Sequence, residues 1–154
     1  MAEQPPLQLP PYTPTSRVSA GRCEVLDPLR RRWVAYTPEE RVRQAFCHFL
    51  IEHRHFPASL LANEKSLTAA NGNVRRCDTV LYHPDCVRPR VIIEYKAPSI
   101  TITEAVFRQI HAYNSILRAD YLIVSNGLAH YCCHIDYEAQ RLLYLPDVPY
   151  YEDL

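Results

Sequence analysis

The sequence lacks several features that would place it in a broad functional class. Its 17 lysine and arginine residues balance 17 aspartate and glutamate residues, so no global basic field indicates a nucleic-acid partner. No apolar run approaches the roughly 18–20 residues of a membrane-spanning helix, and no membrane partner is expected. There is no G-x-x-x-x-G-K-S/T phosphate-binding loop, so the chain has no motor of its own.

The six cysteines do not favour a zinc site. None forms a C-x-x-C pair, which makes a zinc ribbon a poor interpretation. Cys132, Cys133 and His134 are consecutive, but neighbouring residues of a strand face opposite ways. The acidic, proline-rich start has no apolar segment typical of a secretory signal. We therefore expect reduced thiols in a cytoplasmic protein.

The order of predicted elements indicates one α/β domain behind an extended arm. Residues 1–16 are rich in proline, which is typical of an extended arm, and residues 17–154 form the single domain. A helix is predicted to start at Thr37 as N-cap and to end near residues 55–57. A second helix is predicted over residues 103–117, and strands around both favour a mixed β-sheet flanked by helices.

The residues with the clearest chemistry are Asp78 and the segment from Val91 to Lys96. A hairpin folded symmetrically about Cys86 would place Asp78 opposite Glu94, and alternation on a strand puts Glu94 and Lys96 on one face. Two carboxylates can hold a hard cation such as Mg²⁺, which activates water and stabilises charge on a phosphate. The alternative is a solvated cross-strand charge cluster worth roughly 0.2–1 kcal/mol per pair. The uninterrupted apolar run before Glu94 predicts burial on both faces, where unpaired charges are costly.

A third acid is predicted at the start of the first helix. At about 100° per residue, Glu39 lies beside the apolar stripe, whereas Glu40 lies on the far side and completes a capping box with Thr37. Glu39 is therefore the candidate third metal ligand. The alternative is that Glu39 only stabilises the helix N-terminus. Glu64 is a weaker candidate for the same place.

Local basic clusters interrupt the neutral composition. They are Arg30–Arg32, Arg75 with Arg76, and Arg88 with Arg90. For each cluster, the alternative to a nucleic-acid contact is a set of loop charges that face solvent.

The chain resembles a known nuclease family in five features that occur in the right order. They are Thr37-Pro38-Glu39-Glu40 with Val42-Arg43-Gln44, Arg76-Cys77-Asp78, Ile93-Glu94-Tyr95-Lys96-Ala97-Pro98, Gln109 with Tyr113-Asn114, and Asn126-Gly127. Together they look like the PD-(D/E)XK nuclease pattern with a Q-x-x-x-Y extension. More closely, roughly residues 20–150 resemble the N-terminal nuclease domain of type I restriction enzyme R subunits.

The resemblance implies a restriction-endonuclease-like fold and a set of roles. Asp78 and Glu94 would be ligands of Mg²⁺ or Mn²⁺, with Glu39 as the first-helix acid, and Lys96 would assist the attacking water. Gln109 and Tyr113 would lie beside the site, near metal or phosphate. Without the resemblance, Gln109 would be an exposed helix residue and Tyr113 a core residue with its hydroxyl at the rim.

Two functions remain open at this stage. The first is a metal-dependent endonuclease that hydrolyses DNA phosphodiester bonds, with DNA and a separate motor or specificity protein as partners. The second is a non-catalytic nuclease-like module that binds DNA or protein. Retention of both acids and the lysine favours the first function. The bulky Tyr95 between Glu94 and Lys96 departs from the family pattern, and it should face away from the site.

Overall fold

The computed structural model describes residues 3–154, in which two β-sheets pack with two α-helices. The smaller sheet is antiparallel and consists of β1 (Ser16–Ser19), β2 (Arg22–Asp27) and β3 (Arg32–Ala35). The helices are α1 (Pro38–Arg54) and α2 (Glu104–Asn114). The larger sheet contains β4 (Leu61–Thr68), β5 (Val74–Tyr82), β6 (Pro89–Tyr95), β7 (Tyr121–Ser125), β8 (His130–Asp136) and β9 (Arg141–Leu145).

The larger sheet is mixed, as the sequence predicts. Its strands follow chain order from β4 to β9, and every neighbouring pair is antiparallel except β6 with β7. The parallel pair needs a crossover, and α2 supplies it. The predicted α/β class, a mixed sheet flanked by helices, is therefore confirmed.

Strand β6 is buried on both faces, which places the two helices on opposite sides of the sheet. Ile93 belongs to the apolar cluster that contains Phe46 and Leu50 of α1. Ile92 belongs to the second cluster, with Phe107 of α2. Consecutive side chains of a strand point to opposite faces, so this division follows directly from the uninterrupted apolar run.

The boundaries of α1 follow from its local chemistry. The Thr37 hydroxyl accepts a hydrogen bond from Glu40 N at 3.0 Å, and Pro38 occupies the first turn. The helix ends at His55, which adopts φ 62° and donates its N–H to the Leu50 carbonyl. Helix α2 starts with the same device at Thr103 but stops at Asn114, and residues 115–117 form a 3₁₀ turn instead of the predicted last helical turn.

The N-terminal arm packs along the surface of the domain. Leu7 and Leu9 contact the apolar cluster that contains Phe46 and Leu50, which is called the α1-side cluster below. Gln8 N donates to the Gly127 carbonyl at 2.8 Å. The arm then leads into β1, which begins at Ser16, so the predicted boundary after residue 16 falls inside a strand. The first two residues of the predicted arm lie outside the described residues.

All six cysteines are free, and Cys132 and Cys133 face opposite clusters as expected from strand alternation. No helix within residues 3–154 has the length and apolar character needed to span a membrane.

We predict that Gly127→Ala destabilises the protein because the arm packs directly on this glycine. A Cβ at Gly127 would lie 2.7 Å from Leu7 Cδ2, and the residue adopts φ +81°. Gly72→Ala is the matched control, since Gly72 adopts φ +84° with nothing within 4 Å of its Cβ position. In both variants the left-handed backbone lowers the free energy of unfolding by about 1–2 kcal/mol. Overpacking lowers it by roughly 1–3 kcal/mol more, at position 127 only. Urea unfolding measures both, and equal losses would contradict the packing of the arm.

Candidate functional site

Strands β5 and β6 bring Asp78 and Glu94 together where their ladder ends. The strand register pairs Thr79 with Ile93 and Val80 with Ile92, so one further step aligns Asp78 with Glu94. Beyond that step the Asp78 carboxylate itself bridges the strands, because its Oδ2 accepts a hydrogen bond from Tyr95 N at 2.9 Å. The register is the one that symmetry about Cys86 predicts.

The partly buried Glu94 carboxyl lies beside a second acid. Its Oε1 is buried and has no hydrogen-bond partner among the described residues. Burial raises the pKa of Glu94 to about 9, with the negative charge of Asp78 and a hydrogen bond between the two carboxyl groups as further causes. The charge of Lys96 opposes this shift. In the absence of a cation, the pair is therefore stable when Glu94 holds a proton.

Lys96 follows directly after β6 and is fixed through its backbone. Its N–H donates to the Ser125 carbonyl on β7 at 2.9 Å. Tyr95, between the two site residues, is only 1% exposed and belongs to the α1-side cluster. The side chains of Glu94 and Lys96 therefore share the opposite direction, and the bulk of Tyr95 points away from the site as expected.

Glu39 lies within electrostatic range of this pair. Burial and the charge of Asp78 raise the pKa of Glu39, while Lys96 and Arg43 lower it. Asp78 and Lys96 both act on the pKa of Glu39, in opposite directions, so the start of α1 lies near the ends of β5 and β6.

The predicted far-side, capping-box position of Glu40 is wrong. Glu40 is only 5% exposed, and its carboxylate forms ion pairs of 2.9 Å with both Arg30 and Arg43. No hydrogen bond joins it to the Thr37 N–H within the described residues. The reason is tertiary, because the turn between β2 and β3 places Arg30 on the side of α1 that a helical wheel treats as solvent.

Arg43 is the buried cation at the centre of this region. It is 5% exposed, and its guanidinium pairs with Glu64 Oε1 at 2.6 Å in addition to Glu40. It also donates from Nη1 to the Asp78 carbonyl at 3.0 Å. One side chain of α1 thus contacts β4 and β5 and reaches the backbone of a candidate site residue.

Glu64 is engaged by arginines. Burial acts to raise its pKa, but hydrogen bonds from Arg43 and Arg76 outweigh burial and lower the pKa of Glu64. Glu64 adopts φ 54° between the ladder pairs Asn63–Thr79 and Lys65–Cys77. A carboxylate held by two guanidiniums is a poor candidate for the third metal ligand.

Gln109 and Tyr113 lie on the exposed side of α2. Gln109 is exposed, and Tyr113 is 48% exposed, so Tyr113 is not the core residue that helical spacing alone favours. The Arg75 guanidinium stacks 4.5 Å from the Tyr113 ring centroid, and Arg75 Nε donates to the Tyr113 carbonyl. Within the described residues, no hydrogen bond joins Gln109 or Tyr113 to Asp78, Glu94 or Lys96.

The donors available to a divalent cation are therefore the two carboxylates. Hard cations such as Mg²⁺ take oxygen ligands, often one or two carboxylates with water completing the shell. The buried, unpartnered Oε1 of Glu94 fits this donor set. Across residues 3–154, no three His, Cys, Asp or Glu side chains stand close enough together to form a metal-binding group. Glu39 thus influences the pair electrostatically without completing a ligand set.

A family model matches most of the chain. Residues 38–149 match the family described as Type I restriction enzyme R protein N terminus (HSDR_N). The chain belongs to this family. The match begins at the first residue of α1 and includes both acids, Lys96 and α2. No curated protein matches the chain.

Two solved structures resemble this R-protein N-terminal domain. One is the fragment structure of a protein described as an HsdR subunit of a type I restriction enzyme from Vibrio vulnificus YJ016. It has 18% identity and a TM-score of 0.51 over 77% of this chain and 24% of that chain. The other is the cryoEM structure of a DrdV–DNA complex, with 20% identity and a TM-score of 0.45 over 72% of this chain and 11% of that chain. The first supports the fold, and the domain spans about a quarter of that relative's length.

The role of Arg43 was not predicted from the sequence. The sequence does contain an indication of it, because Arg43 interrupts the apolar stripe of α1 between Val42 and Phe46. Such a position is buried once the helix packs, and a buried charge needs partners.

We predict that Glu94→Gln stabilises the metal-free domain increasingly as pH rises. A raised carboxyl pKa means that the stability contributed by the protonated form is complete below the ordinary pKa of 4.5. It is lost as pH rises toward the folded value of about 9. Gln keeps the shape without the charge. Melting temperatures measured from pH 5 to 9 in EDTA should diverge from the parent, at about 2–4 °C per kcal/mol. Glu138→Gln, at an exposed position, is the control. Parallel curves for parent and Glu94→Gln would contradict the coupled pair.

We predict that Arg43→Met destabilises the domain by about 3–5 kcal/mol, because it leaves Glu40 and Glu64 without their buried cation. Arg76→Met removes a second partner of Glu64, but the Arg76 side chain is 71% exposed. An exposed pair contributes about 0–1 kcal/mol. Urea unfolding compares the two variants, and equal losses would show that Arg43 is not the organising cation.

Proposed function

We propose that this domain is a metal-dependent endonuclease of the PD-(D/E)XK type that hydrolyses DNA phosphodiester bonds. The observation that carries the proposal is the partly buried Asp78–Glu94 pair beside Lys96, in which the pKa of Glu94 is raised and its Oε1 is buried without a partner. A purely structural ion-pair network has no physical reason to place two carboxyl groups against each other. Perturbed carboxyl groups of this kind cluster at functional sites.

In this proposal the chain holds a cation and positions the phosphate. Asp78 and Glu94 would hold Mg²⁺ or Mn²⁺, and Glu39, which stands outside this ligand set, would act on the cation through the outer shell. The bound cation supplies Lewis-acid stabilisation of the phosphate oxygens and lowers the pKa of water. Lys96 holds and orients the attacking water and offsets negative charge near the phosphate. Its fixed backbone hydrogen bond to Ser125 limits the positions that the ammonium group can reach.

Gln109 and Tyr113 are assigned to the substrate. Both are exposed on α2, and Asn114 at the end of this helix lies 4.0 Å from Cys77 Sγ, next to Asp78 on β5. The amide of Gln109 and the phenol hydroxyl of Tyr113 can donate to phosphate oxygens of a strand bound along this helix. They act as phosphate-contacting residues in this proposal.

The partners follow from what the domain contains. DNA is the proposed substrate, and a motor or specificity unit outside these 154 residues is the proposed source of translocation and target choice, because no phosphate-binding loop occurs among them. A cytoplasmic location is proposed because all six cysteines are free, and thiols stay reduced in that compartment. A non-catalytic DNA-binding module is the second candidate. The proton held by Glu94 favours it, since the pair is stable without a cation.

We predict that the purified domain nicks supercoiled plasmid with Mg²⁺ or Mn²⁺ but not with EDTA. Lys96→Ala and Glu94→Gln should each reduce the rate about 100-fold or more, as loss of a group active in the transition state does. Asp78→Asn is preferred to Ala at that position, because its side chain keeps an acceptor for Tyr95 N. Glu138→Gln, which changes the same charge at an exposed position, should nick as the parent does.

A thermal measurement separates metal binding from activity. Mg²⁺ should raise the melting temperature of the parent and leave that of Glu94→Gln unchanged. Equal nicking by parent and Lys96→Ala would indicate a different active centre. Absence of nicking by the parent, with DNA binding retained, would support the non-catalytic module.

A further inference from the structure

Two basic clusters that are far apart in the sequence meet in one groove. The groove has a volume of about 580 Å³ and lies where the start of β3 faces β4 and β5. Its charged lining consists of Arg30, Arg32, Lys65, Arg76 and Glu64. Four cationic side chains therefore surround one carboxylate, in a chain whose overall net charge is zero. The remaining basic cluster, Arg88 with Arg90, lies at the other end of β5.

Two of these cations are not engaged by acids. Arg30 pairs with Asp27 and Glu40, and Arg76 pairs with Glu64. Arg32 and Lys65 are exposed and form no ion pair within residues 3–154. An exposed cation without a protein partner attracts a mobile anion, and the neighbouring guanidiniums strengthen that attraction at short range.

The groove is connected to the candidate site. Arg76 lies two residues before Asp78 on β5. Glu64, at the groove wall, accepts hydrogen bonds from both Arg76 and Arg43, and Arg43 donates to the Asp78 carbonyl. The groove therefore opens within a few residues of the two carboxyl groups. A nucleic-acid strand approaching two acids is repelled unless positive charge beside them offsets the repulsion.

We propose that this groove binds the phosphate backbone of DNA and directs it to the Asp78–Glu94 pair. Guanidinium and ammonium groups spaced along a groove match the repeated phosphates of a nucleic acid. Backbone contacts of this kind position a duplex without reading its sequence. The direction toward the acid pair rests on the proposed nuclease function, whereas phosphate binding by the groove does not.

The test is DNA binding as a function of salt. A fluorescently labelled duplex of about 20 base pairs is titrated with the domain in EDTA, which prevents cleavage, at several KCl concentrations. Each phosphate contact contributes a slope of about −0.9 to the dependence of log K on log salt. Arg32→Gln and Lys65→Gln should each weaken binding several-fold and reduce the slope by about 1, and the double variant by about 2.

Arg88→Gln is the matched control. Its side chain is 71% exposed in the turn after β5, at the opposite end of that strand from Arg76, and its loss changes the net charge equally. It should bind as the parent does. The proposal that this groove binds DNA is contradicted if the parent does not bind the duplex. It is also contradicted if the groove variants bind as tightly as the parent, or if Arg88→Gln loses as much affinity as they do.

The outcome is separable from that of the nuclease proposal. Glu94→Gln should retain DNA affinity while losing nicking. If the parent binds with the groove-dependent slope but never nicks, the groove is supported and the nuclease proposal fails. If Glu94→Gln abolishes nicking while the groove variants bind and nick as the parent does, the nuclease proposal is supported and the groove fails.

Discussion

The buried guanidinium of Arg43 is the constraint on which the site depends. A charge at 5% exposure needs several partners, and Arg43 forms ion pairs with Glu40 and Glu64 and donates a hydrogen bond to the Asp78 carbonyl. These partners belong to α1, β4 and β5. Satisfying one side chain therefore fixes the helix against the two strands and sets the backbone position of Asp78.

This constraint also explains how the domain tolerates two acids at the end of a strand. The Glu94 carboxyl is disfavoured in its charged form by burial and by Asp78, which costs stability near neutral pH. The neighbouring network of Arg43, Glu40 and Glu64 stabilises the same region through opposite charges. The two acids therefore remain close together within a region that is held in place by its neighbours.

The hairpin register, the N-cap of α1 and the double burial of β6 could be predicted from the sequence, because each depends on residues close together in the chain. Positions that depend on distant segments could not. Glu40 is buried because Arg30 arrives from the β2–β3 turn, and a helical wheel carries no information about that turn. Tyr113 is exposed because α2 presents another stripe, with Phe107, to the sheet. The meeting of Arg30–Arg32 with Arg76 likewise requires the placement of the small sheet beside β4 and β5.

The neutral composition of the chain is an average over charges that the fold separates. Acidic groups gather at the ends of β5 and β6, while unengaged cations gather in the adjoining groove. At physiological salt, charges interact appreciably only within about 8 Å, so a bound phosphate responds to its immediate neighbours and not to net charge. A neutral protein can therefore attract a polyanion at one groove, and still hold an acid pair that repels it a few residues away. The sequence-level argument that zero net charge disfavours nucleic acid holds for the long-range field, but it does not apply at the distances across which this groove and this site act.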